Sequence, residues 1–396
     1  MNRVTNFAIR GIYFLSSIML ACIIINASFF PSALRRDYDF PLPSIIFVIL
    51  TGIMLWSMIF VIFPIIRRHN NVFNIVLVIL GIVLQLCFAF GIQGYFGIDD
   101  FDIRTQVSNY LNGQRTLSDY FIYGSNNIPI VFVFTFVGKI VNYVHLNQHM
   151  TLIFNLFQCL ILDGTIYAIF VVCKKKISNE TASIFLVLAV IFAPLSVYTT
   201  FLYTDTISTS LALLGIVCIY KSKQLRYFFL SGFLEALAYL IKMNLIIMAI
   251  SIVIIIILQV RPIDKCAKTI AIFIIAFLMV SIPTNQIIKH VSNFSTSQIE
   301  KGRFPYTFWI SMGLDNATYG QFDGNLWQEG SNKSTFEQRQ RFYSANLANH
   351  FKKSNLKNLP KLFIQKMNVM YSEGDLWTAT KKLNVSKIAG GACMSI

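Results

Sequence analysis

The sequence predicts an all-α polytopic membrane protein with about nine transmembrane helices, set by periodicity and run length. It adds a re-entrant or juxtamembrane helix in the first large outer loop, and an extracytoplasmic C-terminal segment. Three observations carry this. The 396 residues are 55% hydrophobic and only 13% charged, against about 25% charged in soluble domains. Long apolar runs without charge recur along the first 290 residues. Lys and Arg cluster between alternate runs, as the positive-inside bias requires. A soluble enzyme with a large buried core is excluded. The net charge of +15 is read by location along the membrane, so no nucleic-acid partner is implied.

The first run, 7–30, is too long for the apolar core of a cleaved signal peptide and reads as a span. The next spans are 43–65, 72–93, 150–173, 181–199, 205–221, 226–242, 244–260 and 268–290. The stretch 128–144 is interrupted by Lys139 and Asn142. If it does not cross and the N-terminus is cytoplasmic, Arg67, Arg68, Lys174, Lys175, Lys176, Arg226, Arg261 and Lys265 all fall inside. If it crosses, Lys174 to Lys176 move outside and the bias weakens. The stretch 128–144 is therefore placed flat on, or re-entrant into, the outer leaflet. Residues 1–290 form the transmembrane domain, with an outer loop at 94–149.

From about 291 hydrophobicity falls, and Asn, Ser, Gln, Lys and Gly rise. Residues 291–396 read as a mostly helical extracytoplasmic segment, with turns near Gly313, Gly320, Gly324 and Gly374 and an unstructured tail over 388–396. Five of seven cysteines lie inside apolar runs and no CxxC spacing occurs, so neither a disulfide framework nor a zinc site is supported.

The chemistry gathers in the loop after the run 72–93. Asp99, Asp100 and Asp102 stand directly behind that span, followed by Arg104, Arg115 and Asp119. Carboxylates beside a bilayer are costly to desolvate and meet a cation, a phosphate or a substrate. One reading is local: a turn, with Asp102 as N-cap of a short helix 102–111 whose Val107 and Leu111 face the membrane. The other is a general base or a metal site. Downstream, Tyr123, Asn126 and Asn127 precede Pro129, which marks a turn into a helix. The two amides either serve that turn or face a sugar or phosphate. Asp205 either caps the helix behind it or adds a second acid to the outer face. Glu235 and Lys242, seven residues apart on one helix face, place one acid near mid-membrane and one cation at the outer border. Lys242 either snorkels or neutralises a phosphate. Asp315 and Asp323, among aromatics and glycines, suit carbohydrate or any loop-rich domain. No phosphate-binding glycine loop, H-E-x-x-H or G-x-S-x-G is present.

An acidic pair opening the first outer loop, a juxtamembrane helix, and a span ending in a basic cluster together resemble the GT-C class of polytopic glycosyltransferases. These include protein mannosyltransferase-like and aminoarabinose transferase-like enzymes. Tyr123-Gly124-Ser125-Asn126-Asn127 is similar to a Gram-positive bacterial version whose usual form is Tyr-Pro-Asn-Asn. Tyr203 to Thr206, and Gly232 through Asn244, are similar too. The resemblance covers about 72–242, with a weaker echo over 312–324. It implies transfer of a sugar from a polyprenyl-phosphate donor to a cell-envelope glycan, lipid or protein acceptor on the outer face of the cell membrane. It implies that Asp99 or Asp100 deprotonates the acceptor, with Asp102, Tyr123, Asn126, Asn127 and Asp205 binding substrate. Lys242, Arg104 or Arg115 would offset phosphate charge. A divalent metal, Mg or Mn, stays open, with Asp99, Asp100 and Asp205 as its ligands. The chain departs from the class in lacking the proline, in having two extra early spans, and in stopping at Ile396, which reads as a truncation. The alternatives are a lipid-linked-saccharide flippase or other transporter, and an inactive envelope protein.

Overall fold

The computed structural model describes residues 44–371, except 96, 223, 293, 296, 299–301, 316, 319, 321 and 354–358, together with 11, 14 and 18. The span expected at 7–30, the turn at Gly374 and the tail 388–396 lie outside the described residues. Contacts divide those described into two units, 59–293 and 44–58 with 294–371. All regular structure among them is helical.

In chain order the helices up to residue 292 are α1 (Ser44–Gly91), α2 (Gly97–Leu111), α3 (Tyr120–Tyr123), α4 (Ile128–Tyr143), α5 (Met150–Lys176), α6 (Asn179–Ile191), α7 (Ala193–Tyr198), α8 (Thr204–Lys221), α9 (Leu225–Ile241), α10 (Ile246–Gln259) and α11 (Ile263–Ser292). Among the described residues, three stretches are long and apolar enough to cross a membrane: Asn70–Gly91, Asn147–Lys176 and Ile263–Ser292. Asn179–Ile191 and Met243–Gln259 are shorter apolar helices.

The sequence places a basic turn between 65 and 72, but α1 runs unbroken through Arg67, Arg68 and His69. No glycine or proline lies between 65 and 72 to stop it, and Asn74 Nδ2 donates to Asn70 Oδ1 one turn back. The span read at 181–199 is instead two helices. The chain breaks at Phe192, and Pro194 sits in the first turn of α7, where its missing N–H is not needed.

Small residues set the helix spacing within this unit. Gly232 of α9 lies directly on the backbone of Phe273 in α11, so close that a Cβ would collide with its carbonyl oxygen. Around that contact Phe228, Ala249, Ile252, Ile256, Cys266 and Phe273 form one apolar core shared by α9, α10 and α11. Gly138 of α4 receives Leu111 of α2; a Cβ there would stand 2.7 Å from Leu111 Cδ1. Val107 is buried as well. Leu111, expected to face lipid, thus seats α2 on α4.

Two buried amides fix connections between these helices. Asn155 Nδ2 on α5 donates to the carbonyls of Ala89 (3.3 Å) and Ile92 (3.1 Å), satisfying orphan acceptors at the end of α1. Gln158 Nε2, one turn on, donates to Thr199 (2.9 Å) and Phe201 (2.8 Å). The connection between α7 and α8 is pinned from below by α5.

In the other unit, α12 (Tyr306–Gly313), α13 (Gly324–Ser331), α14 (Phe336–Lys353) and α15 (Leu359–Tyr371) follow. Phe308, Leu326 and Tyr343 form its core, with Phe304, Met312 and Phe342 against them. The Tyr343 hydroxyl donates to the Leu326 carbonyl at 3.1 Å. Arg339 is buried and donates to the carbonyls of Arg303 and Lys333. The two acids considered for carbohydrate hold turns. Asp315 accepts from the Ala317 amide and the Thr318 hydroxyl. Asp323 is the N-cap of α13, accepting from the amides of Asn325 and Leu326.

Candidate functional site

The acidic run sits on α2, which begins at Gly97 rather than at Asp102. Gly97 has a positive φ of 77°, the conformation glycine takes most readily, and it turns the chain into the helix five residues early. Asp99 and Asp100 therefore lie in the first turn, where carboxylates complement the helix dipole. Asp102 lies inside the helix and is not its N-cap. Burial first, and the charge of Asp99 second, push its carboxyl above the usual range.

Helical geometry sends the adjacent acids to opposite sides. Asp100 is 1% exposed. Its Oδ1 accepts from Arg104 Nε at 2.7 Å and from the Leu202 amide at 3.2 Å. Arg104 also donates to the Thr200 carbonyl at 3.1 Å. This pair locks α2 to the connection that Gln158 pins from the other side. The structure thus commits Asp100 and Arg104 to holding 199–202 in place. Arg115 is exposed on the loop behind α2.

Asp99 is exposed and held from two other elements. The Tyr120 hydroxyl on α3 donates to its Oδ1 at 2.7 Å. The Tyr203 hydroxyl, from the pinned connection, reaches the same carboxylate. Both phenols are pushed up, by burial foremost and then by the charge of Asp99, so they remain O–H donors. Asn127 is buried and donates through Nδ2 to the Tyr120 oxygen at 2.5 Å; its own Oδ1 accepts from Asn126 Nδ2 at 2.9 Å. Of the two amides, Asn127 supports Tyr120 and Asn126 supports Asn127. Tyr123, one turn beyond Tyr120, is exposed.

Asp205 lies in the first turn of α8 behind Tyr203, with no side-chain cap bond at that terminus. It is ion-paired with Lys242, which follows the last turn of α9. Lys242 and Asp205 keep 27% and 33% of their side-chain surface exposed. Asp205 also acts electrostatically on Tyr203. The site therefore runs from Asp99 across Tyr120 and Tyr203 to Asp205 and Lys242.

Glu235, two turns below Lys242 on α9, is fully buried. Neither of its oxygens has a hydrogen-bond partner among the described residues. Gly215 on α8 makes room for it; a Cβ there would stand 2.6 Å from Glu235 Oε1.

A metal fits the donor set poorly. Of the three carboxylates named as ligands, Asp100 is neutralised by Arg104 and Asp205 by Lys242. No group of three His, Cys, Asp or Glu side chains among the described residues converges on a common point.

Tyr120 is a side chain of this candidate site that sequence reasoning passes over, and Tyr203 enters it only within the motif Tyr203–Thr206. Tyrosine is common at membrane borders, so only the long-range fold singles out these two. A family model described as "conserved hypothetical integral membrane protein" matches residues 13–381 of the chain. Comparison with curated proteins and with solved structures gives no match.

Proposed function

We propose that this chain, which belongs to the conserved hypothetical integral membrane protein family, is an outer-face glycosyltransferase using a polyprenyl-phosphate-linked sugar. The reading includes the topology expected from the sequence, polytopic with the N-terminus inside and loop 94–149 and the C-terminal segment outside. Its acceptor is a hydroxyl of a cell-envelope glycan, lipid or protein. The observation that carries it is the exposed Asp99 carboxylate, which accepts from the Tyr120 hydroxyl and is linked through Tyr203 to the Lys242–Asp205 pair.

The chemistry asks little more of the protein. Asp99 accepts the proton of the acceptor hydroxyl. That oxygen bonds to the anomeric carbon as the bond from this carbon to the phosphate oxygen breaks. Polyprenyl phosphate leaves as an anion, and Lys242 offsets its charge. General-base catalysis contributes about 10²–10⁴-fold, and a preplaced cation adds electrostatic stabilisation. The test is transfer of labelled sugar from a polyprenyl-phosphate sugar by the purified chain in proteoliposomes.

One observation favours transport instead: Glu235, a buried carboxyl with no hydrogen-bond partner among the described residues. Ionisable groups inside transporter bundles mark substrate or ion pathways. Glu235→Gln separates the readings. Under glycosyl transfer it leaves turnover within about two-fold, because a neutral isostere in a buried site without a partner removes no bond. Glu235→Gln falling further than Asp99→Asn in the same vesicles would favour transport.

A further inference from the structure

Asp99 has a supporting chain that begins in a buried amide. Asn126 donates to Asn127 at 2.9 Å, Asn127 donates to the Tyr120 oxygen at 2.5 Å, and Tyr120 donates to Asp99 at 2.7 Å. Its direction follows from what each group can do. An ionised carboxylate only accepts, so the single proton of Tyr120 must point at Asp99. The Tyr120 oxygen is then left as an acceptor, and only the NH₂ side of Asn127 can meet it. That orientation turns the Asn127 oxygen to Asn126, whose NH₂ fills it. Every link is satisfied in one sense only while Asp99 carries its charge.

The chain also crosses the fold. Asp99 belongs to α2, Tyr120 to α3, and the two asparagines to the 3₁₀ turn Ser125–Asn127 that leads into α4. Asn127 is only 2% exposed, so its end is fixed, while the Asp99 end is open. The groups acting on Asp99 are Tyr120 and Tyr203 from neighbouring elements and Asp102 on its own helix. Asp205, paired with Lys242, acts on Tyr203. A carboxylate has about four acceptor sites, and two tyrosines use part of them. What remains accepts a further donor, which is what an incoming hydroxyl is.

Resting on the reading of Asp99 as general base, we propose that Tyr120, oriented by Asn127, is a positioning residue. It holds the ionised Asp99 carboxylate in the rotamer that receives the proton of the acceptor hydroxyl. Asn127 acts one step further back, by fixing which way the Tyr120 proton points.

The experiment is a double-mutant cycle of Tyr120→Phe and Asp99→Asn, with kcat and KM of each measured per folded molecule, using the full chain in proteoliposomes and a polyprenyl-phosphate sugar. Tyr120→Phe is expected to lower kcat about 10–100-fold, the worth of one hydrogen bond to a charged group, with KM little changed. A loss in kcat per folded molecule with KM unchanged is not what a merely structural role gives, since partial unfolding lowers the amount of active protein and not the turnover of each folded molecule. In the Asp99→Asn background the same change costs less than about two-fold, because no ionised carboxylate remains to be held. Asn127→Leu reproduces the loss in kcat, with KM little changed, while Tyr120 is intact. An unchanged kcat per folded molecule in Tyr120→Phe, or an equal loss in both backgrounds, overturns the proposal while leaving Asp99 as base. Full activity of Asp99→Asn alone would instead remove the reading on which it rests.

Discussion

An Asp99→Asn variant is expected to lose about 10²–10⁴-fold in kcat for sugar transfer, the contribution of a positioned general base. The amide keeps the size of the carboxyl and an oxygen that accepts from Tyr120, so the site's shape is retained. What disappears is a group able to take the acceptor proton. The contrast with its neighbour is the informative part. Asp100→Asn leaves Arg104 without the carboxylate that it meets at 2.7 Å and weakens the acceptor for the Leu202 amide. It is expected to destabilise by about 1–3 kcal/mol and to reduce activity in step with the loss of folded protein. Release of polyprenyl phosphate per folded molecule, with a thermal midpoint for each variant, separates the two. Equal losses per folded molecule would mean that the pair acts as one unit and that its division between site and interior is wrong.

Gly232→Val is expected to produce the largest stability loss in the helical unit of residues 59–293. A Cβ at this position meets the Phe273 carbonyl oxygen and carbon. Backbone cannot rotate aside as a side chain does, so α9 and α11 must separate. Separation opens the core of Phe228, Ile252, Ile256 and Phe273. Overpacking of this kind costs about 1–3 kcal/mol, and more when backbone is the obstacle. Gly164→Ala on α5 is the control, because nothing lies within 4 Å of its Cβ position. There the change is expected to be neutral or to stabilise by up to about 1 kcal/mol through helix propensity. Thermal unfolding in one detergent measures both. A midpoint for Gly232→Val equal to that of the unmodified chain would contradict the close approach of α9 to α11.

The helices were legible where apolar runs are long and bounded. α5, α8, α9 and α11 fall within a few residues of their expected ranges, because run length and flanking basic residues are local signals. The continuity of α1 through 66–71 was not legible. A basic, polar hexamer reads as a turn, although no residue in it breaks a helix. At the site, Asp99, Asp205 and Lys242 could be picked out as candidates from charge beside apolar sequence. The separation of Asp99 from Asp100 could have been read only with the start of α2 known, since a shift of helix start rotates every side chain. Tyr120 was hidden for a different reason. Its partner Asp99 lies 21 positions away along the chain, and only the seat of α2 on α4 brings them together; Asn127 was legible as a candidate, but not as the group that backs Tyr120.

The most direct test of outer-face chemistry is the side of the membrane on which loop 112–119 lies. Position 100 is unsuitable as a probe because its side chain is buried, whereas Asp119 is exposed. In a chain lacking its native cysteines, Asp119→Cys and Lys175→Cys are treated in intact cells with a membrane-impermeant thiol reagent. The account predicts labelling at 119 in intact cells, and at 175 only after permeabilisation. Labelling at 175 from outside, with 119 reached only after permeabilisation, would put Asp99 on the inner face and contradict transfer from a lipid-linked donor at the outer surface.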